Sequence, residues 1–361
     1  MMVSQNWQRI QGLLLLLATL LFYCTEALAP QQSTQALEKT PVVICPGFGN
    51  DKIDYYEPLQ QPRDVGLVAC LERRGFDPNL IFCLPVERKD WFRVAGGLLD
   101  LNFYTNQALP TGGGYGWYLQ RFKDTVDMAH EAANTDDAIN NNRVLVLGHS
   151  AGGWLARAGM GNGVWCEETQ SKTADKICGL VTVGAIHKPP VSVGSCVTRG
   201  ALAYTDQNYR GAFLKEDGIG YVSVGGDAIV GDETKKDEPQ PTDADALYAT
   251  RGEGSAARVA FTSYKAVCGQ GDMTGDGVVP LEWTQLEGSK QLKLEGVLHS
   301  INEAGTTIPT NRWYGSEAVI DRWLPTALEE AGIKTNEAGI KKNAFDIGTL
   351  QKWASDIFQP Q

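Results

Sequence analysis

Gly148-His149-Ser150-Ala151-Gly152 is the stretch of this chain best suited to covalent chemistry. It fits Gly-x-Ser-x-Gly, in which a serine sits on a strand-to-helix turn with little room for side chains at the flanking positions. Residues 143–147 before it read as a buried strand, and residues 153–158 after it read as the first turns of a helix. That order would hold the Ser150 hydroxyl up at the carboxyl edge of a sheet. A serine hydroxyl is a poor nucleophile until a base takes its proton, so the motif calls for a histidine and a carboxylate elsewhere in the chain.

Four histidines are available. His149 lies inside the turn and points away from its neighbour's hydroxyl, so it is expected to shape the turn or support the site from behind. His130 precedes the serine on a polar helix and reads as a solvated surface residue. With an elbow of this kind the chain order is serine, acid, histidine. His187, just past an inferred strand at residues 178–184, comes too early to leave room for the acid and reads as accessory or structural. His299 follows the last inferred strand, residues 291–294, and precedes a helix expected over residues 316–330. It is the expected base.

The acid is sought before that last strand. Gly275-Asp276-Gly277-Val278-Val279-Pro280 offers a short carboxylate in a glycine turn, followed by an apolar run that tucks into the core. Asp276 there would accept the Nδ1 hydrogen of His299 and fix its tautomer. Asp272 is the nearest rival. The Asp-x-x-x-Asp-Gly pattern also resembles a calcium loop, but it lacks the flanking helices and terminal Glu, and no metal is expected. An oxyanion hole needs two backbone N–H groups. Ala151 would supply one. Phe48, in the glycine-rich loop 46–50 after the strand 42–45, would supply the other.

Taken together, Cys45-Pro46-Gly47-Phe48-Gly49, the serine turn, the Asp276-Gly277-Val278-Val279 turn and Leu298-His299-Ser300 resemble the α/β-hydrolase superfamily. Within it the chain looks like the lipase/esterase branch, where an Asp-Gly-x-Val turn carries the acid. With Trp313-Tyr314-Gly315-Ser316, it resembles a group of plant and algal hydrolases related to inositol deacylases. The similarity spans roughly residues 40–330. It implies a mostly parallel sheet with helices on both faces and a cap or lid insertion. Lipases often show Gly-Thr-Pro-His after the next strand, whereas this chain has Gly184-Ala185-Ile186-His187, so no role is carried to His187.

At 361 residues and 43% hydrophobic content the chain can bury one substantial core. A net charge of −11 argues against nucleic acid as a partner. No phosphate-binding loop of Walker type and no zinc-like Cys/His spacing is present. Residues 13–22 are an apolar block too short to span a bilayer, behind a start whose only basic residue is Arg9. Cutting after Ala29 is hindered by Pro30, so residues 1–27 read as a secretory signal peptide cleaved after Ala27. A Leu-Ala-Pro start resembles the bipartite plastid presequences of algae with complex plastids. Residues 31–40 are short, lack Arg and contain Glu38, so plastid targeting stays an open alternative.

Of eight cysteines, Cys24 would leave with the signal. Cys45, Cys70 and Cys83 read as buried thiols, while Cys166, Cys178 and Cys196 could tie a loop by a disulfide. Strand and helix alternate as a parallel sheet requires. Helices are expected at residues 64–74, 88–101 and 116–133, and strands at 80–84 and 219–225. Residues 188–215 could form a cap, 227–257 an exposed insertion and 331–361 a C-terminal extension. Trp91, Phe92, Phe103 and Tyr104 fit a core, and would suit an acyl chain if they faced the site.

The expected activity is hydrolysis of a carboxylic ester, in particular a lipid acyl ester, with no cofactor. A thioesterase or amidase would use the same residues, and a non-catalytic binding protein on this scaffold is the reading from another class. Peripheral membrane contact is left open, although no basic amphipathic helix supports it.

Overall fold

The structure, a computed structural model, describes residues 35–135, 141–161, 173–190, 196–236, 253–303, 306 and 308–335. The signal and presequence segment, Cys166, the middle of the 227–257 insertion and most of the C-terminal extension lie outside them.

Six strands form the central sheet: β1 (Val42–Cys45), β2 (Ile81–Cys83), β3 (Val144–His149), β4 (Ile177–Val183), β5 (Gly220–Gly226) and β6 (Lys290–Leu294). All pairings are parallel, in the order β2-β1-β3-β4-β5-β6. Both faces of such a sheet are covered, so its inner strands carry near-continuous apolar runs. Side chains alternate between the faces. Val42, Ile44, Leu145, Leu147, Val222 and Val224 enter one core cluster, while Val43, Cys45, Val144, Val146 and Tyr221 enter the other.

Helices α1 (Leu67–Arg73) and α6 (Leu324–Glu330) cover the first face. The second is covered by α2 (Gly116–Ala133), α3 (Ala151–Met160) and α4 (Ala201–Asn208). Helix α2 shows why its sequence folds so: Tyr118, Leu119, Phe122, Val126 and Ala129 recur at helical spacing and are all buried. Helix α5 (Glu253–Cys268) packs beside the turn that carries Asp276.

Three segments differ from the pattern read in the sequence. The helix expected at 64–74 starts at Leu67, because Pro62 leads into a separate 3₁₀ turn at Arg63–Val65. Residues 88–101 form a 3₁₀ helix, Arg88–Leu99, and a short helix follows at Leu101–Tyr104. Gly96 and Gly97 weaken helical propensity there, and the Asp100 side chain caps a new start by accepting from Asn102 N–H. The helix expected at 316–330 splits into Glu317–Ile320 and α6, because Pro325 has no N–H for an interior helical bond.

The ends of the 227–257 segment are built into the body. Ile229–Val230 pairs antiparallel with Thr274–Gly275, and residues 253–257 open α5. Gln35–Ala36 pairs parallel with Ile333–Lys334. Cys178 and Cys196 are free thiols on opposite sides of the sheet: Cys178 packs into the first cluster, and Cys196 leads into α4 on the second face. They do not form the loop-tying bridge. Among the described residues no helix is long and apolar enough to cross a membrane.

Candidate active site

Strand order reverses beside β1: the chain runs outward to β2, then returns past β1 to β3. At such a switch point the loops leaving the carboxyl ends of the two inner strands part and leave a crevice. Loop 46–50 and Ser150 occupy that position. Ser150 has φ 52° and ψ −124°, a strained conformation for a residue with a side chain. It caps α3 without using its hydroxyl. The flanking glycines allow the turn, since Gly148 packs against Gly153 and Gly152 against the Cys45 carbonyl. This is the α/β-hydrolase fold.

His299 and Asp276 meet at the same edge, carried by loops on either side of β6. His299 Nδ1 lies 2.8 Å from Asp276 Oδ2, and the His299 backbone N–H donates to the Asp276 carbonyl at 2.9 Å. Asp276 is only 1% exposed, yet its carboxylate is fully served. Oδ1 accepts from the Val278 and Val279 N–H groups at 3.0 and 2.8 Å, and Oδ2 also accepts from Tyr314 Oη at 2.8 Å. Tyr314 accepts in turn from Gly226 N–H at 2.7 Å, and Tyr264 holds the turn by accepting from Gly277 N–H at 2.8 Å. Burial drives the Tyr314 phenol well above its usual pKa, so it remains a donor. With Nδ1–H facing Asp276, the tautomer leaves a lone pair on His299 Nε2.

Gly184 shows how closely these groups pack on the strand next to the one that leads into Ser150. Its φ is +58°, and a Cβ there would lie 2.8 Å from His299 Nδ1 and 2.9 Å from Asp276 Oδ2. The residue before it, Val183, accepts the Ser150 N–H at 2.9 Å. The Ser150 hydroxyl makes no hydrogen bond among the described residues; such contacts often tighten only when substrate is bound.

The loop after β1 is tied down at several points. Pro46 O accepts from Tyr118 Oη at 2.8 Å, Gly49 O from Arg88 Nε at 3.0 Å and Asn50 O from Trp91 Nε1 at 3.0 Å. The Gly47 N–H donates to Tyr55 Oη at 3.1 Å. Phe48 N–H and Ala151 N–H donate to nothing among the described residues. A Cβ on Gly47 would lie 2.8 Å from Ser150 Cβ, so the loop passes directly over Ser150.

The remaining histidines separate. His149, 3% exposed, has Nδ1 2.8 Å from Tyr55 Oη and Nε2 3.0 Å from the His299 carbonyl. Burial, with His299 close by, lowers its pKa to about 3. His187 is buried away from Asp276, with Nε2 at 2.9 Å from Thr182 Oγ1 and its carbonyl accepting from Arg157. His130 bonds Asn141 near the surface, and Asp272 is exposed. Trp91 is core, packed on Phe48, Trp117 and Tyr118, whereas Phe92 turns outward. Sequence reading missed the roles of Tyr55 and Tyr264, neither of which stands in a local motif, and of Gly184, noted only in the comparison with Gly-Thr-Pro-His. Tyr314 was noted only within a stretch of family resemblance.

No protein-family model matches the chain, and no curated protein matches it. Among solved structures, the chain is similar to the mature form of the Bacillus licheniformis lipase BlEst2. That match has 11% identity and a TM-score of 0.39, covering 75% of this chain and 89% of that one. The propeptide form of the same lipase matches at 12% identity and a TM-score of 0.41, over 84% of this chain and 53% of that one. This chain thus spans about half the length of the propeptide form. The fold class itself rests on the strand order and the serine turn.

Proposed function

We propose that the protein is a serine hydrolase that cleaves a carboxylic ester, with a lipid acyl ester as the substrate class. Ser150 Oγ attacks the carbonyl carbon and gives its proton to His299 Nε2. Asp276 holds the ring and stabilises the imidazolium. The developing oxyanion takes the unemployed N–H groups of Phe48 and Ala151. His299 then passes the proton to the leaving alcohol, and a water that it deprotonates cleaves the acyl-enzyme and restores Ser150. The observation that carries this reading is the buried Asp276–His299 pair, packed against the strand neighbour of a strained, half-exposed serine.

The surface supports a hydrophobic substrate. Phe92 is 82% and Leu99 95% exposed, with Leu101 and Tyr104 on the same segment, which packs against loop 46–50 through Arg88 and Trp91. Exposed apolar groups of this size mark binding surfaces, and peripheral contact with a lipid interface is part of this proposal. The resemblance to hydrolases related to inositol deacylases also supports a lipid-linked ester.

A fluorophosphonate probe, applied to wild type and Ser150→Ala, tests the reading. The expected result is labelling of the wild type alone, and p-nitrophenyl esters of graded length then size the acyl pocket. Labelling that survives Ser150→Ala would overturn it. Thioester and amide analogues of the best ester fix which bond is preferred.

A further inference from the structure

His149, beside the nucleophile, takes no part in the steps above, yet it is buried and bonded at both ring nitrogens. A carbonyl oxygen can only accept, so the 3.0 Å contact with the His299 carbonyl places the hydrogen on His149 Nε2. Nδ1 then carries the lone pair, and Tyr55 Oη must donate to it across 2.8 Å. Tyr55 is left as acceptor for the Gly47 N–H at 3.1 Å. The three bonds therefore run in one direction: Gly47 to Tyr55, Tyr55 to His149, His149 to the His299 carbonyl.

We infer that Tyr55 and His149 are positioning residues that lock the oxyanion loop to the loop carrying the base, an inference that rests on the hydrolase reading. The chain starts at the residue before Phe48, and it occupies the Gly47 N–H while the Phe48 N–H stays free of protein partners among the described residues. It ends on the backbone of His299, whose N–H and ring are both held by Asp276. The base is thus fixed from two sides. Asp276 sets its ring, and His149 sets the backbone from which the ring projects. Chains of hydrogen bonds in a buried setting reinforce one another, and Tyr55 and His149 are both almost fully buried. Burial holds the His149 pKa near 3, so its ring stays neutral around neutral pH and the bonds it makes do not titrate there.

Amide substitutions can separate the two bonds, because a Gln amide nitrogen reaches the Nε2 position and an Asn amide oxygen lies near the Nδ1 position. His149→Gln keeps the bond to the His299 carbonyl; His149→Asn keeps only the bond from Tyr55. The expected order of kcat is wild type, then Gln, then Asn and Leu. Asn and Leu should lose about ten- to a hundred-fold, with KM within about twofold, as misplacement of a catalytic group produces. Tyr55→Phe should fall between wild type and Asn, and fluorophosphonate labelling should slow in parallel. Melting temperatures are recorded for each variant, and Tyr55→Phe and His149→Gln decide the matter if Leu does not fold. Wild-type kcat in Tyr55→Phe and His149→Asn, or a kcat that follows melting temperature instead of the donor at the Nε2 position, would overturn the lock. If these variants retain activity while Ser150→Ala has none, the hydrolase reading stands without the lock. If Ser150→Ala is itself active, the hydrolase reading fails and the lock with it.

Discussion

On one side of the carboxyl edge, Asp276 is 1% exposed and receives four donors. On the other, Leu99 is 95% exposed, and Phe92, Leu101 and Tyr104 stand open around it. The first region spends polar contacts on fixing two side chains in one geometry. The second leaves apolar surface without a protein partner. Proton transfer needs a fixed distance and one tautomer, whereas an apolar ester needs only a dry, adaptable surface. Phe48 joins the two: its loop passes over Ser150 at Gly47, while Phe48 itself, 63% exposed, leans its ring on Trp91.

Breaking the ordered side should give the largest effect. Asp276→Asn would present an amide to His299 and favour the wrong tautomer, and kcat on a p-nitrophenyl ester should fall about 10⁴-fold with the fold retained. A loss under tenfold would mean that His299 is oriented mainly by its backbone bonds.

Acid should weaken the same region. His149 has its pKa lowered from 6.5 to about 3, and burial lowers His187 well below its usual value. Below pH 6.5 the unfolded chain binds protons at these positions that the folded chain refuses. Stability therefore falls as pH drops from about 6.5 toward 3, by up to about 1.4 kcal/mol per pH unit for each histidine. Denaturant midpoints across this range measure the slope, and His149→Gln should remove its share. An unchanged slope in that variant would place the titration elsewhere.

Tyr314→Phe cuts more gently. It removes one donor from Asp276 and leaves the buried Gly226 N–H unpaired, so stability should drop by about 1–3 kcal/mol. Thermal unfolding checks it, alongside a smaller loss of kcat than Asp276→Asn causes.

On the open side, Leu99→Ser and Leu101→Ser should change stability by less than about 0.5 kcal/mol. Turnover of a soluble short-chain ester should stay level while turnover of a vesicle-borne ester falls. Equal losses on both substrates would detach this surface from lipid binding.

What could be read from the chain divides along the same line. Ser150, Asp276 and His299 each sit in a short stretch whose turn chemistry is local, and their order along the chain narrows the pairing. The continuous apolar runs at residues 42–45 and 144–147 likewise point to a sheet covered on both faces. Tyr55 had no such signal, because its partner His149 is 94 residues away and only the packing of β1 against β3 brings them together. The segment 88–101 resisted for another reason. Its apolar residues recur at helical spacing, yet Gly96, Gly97 and the cap at Asp100 turn it into a 3₁₀ helix that buries Trp91 but faces Phe92, Leu98 and Leu99 outward.

The short parallel pairing of Gln35–Ala36 with Ile333–Lys334 has a mechanical consequence. Because the two strands run the same way, tension applied at residue 35 and residue 334 pulls them past each other along their length. Their bonds are then loaded together in shear instead of opening one by one. Gln35 adds a side-chain anchor, since its amide bonds both the N–H and the carbonyl of Arg143 at the entrance to β3. A stretched molecule would meet its first resistance at this clasp, at the opposite end of β3 from Ser150.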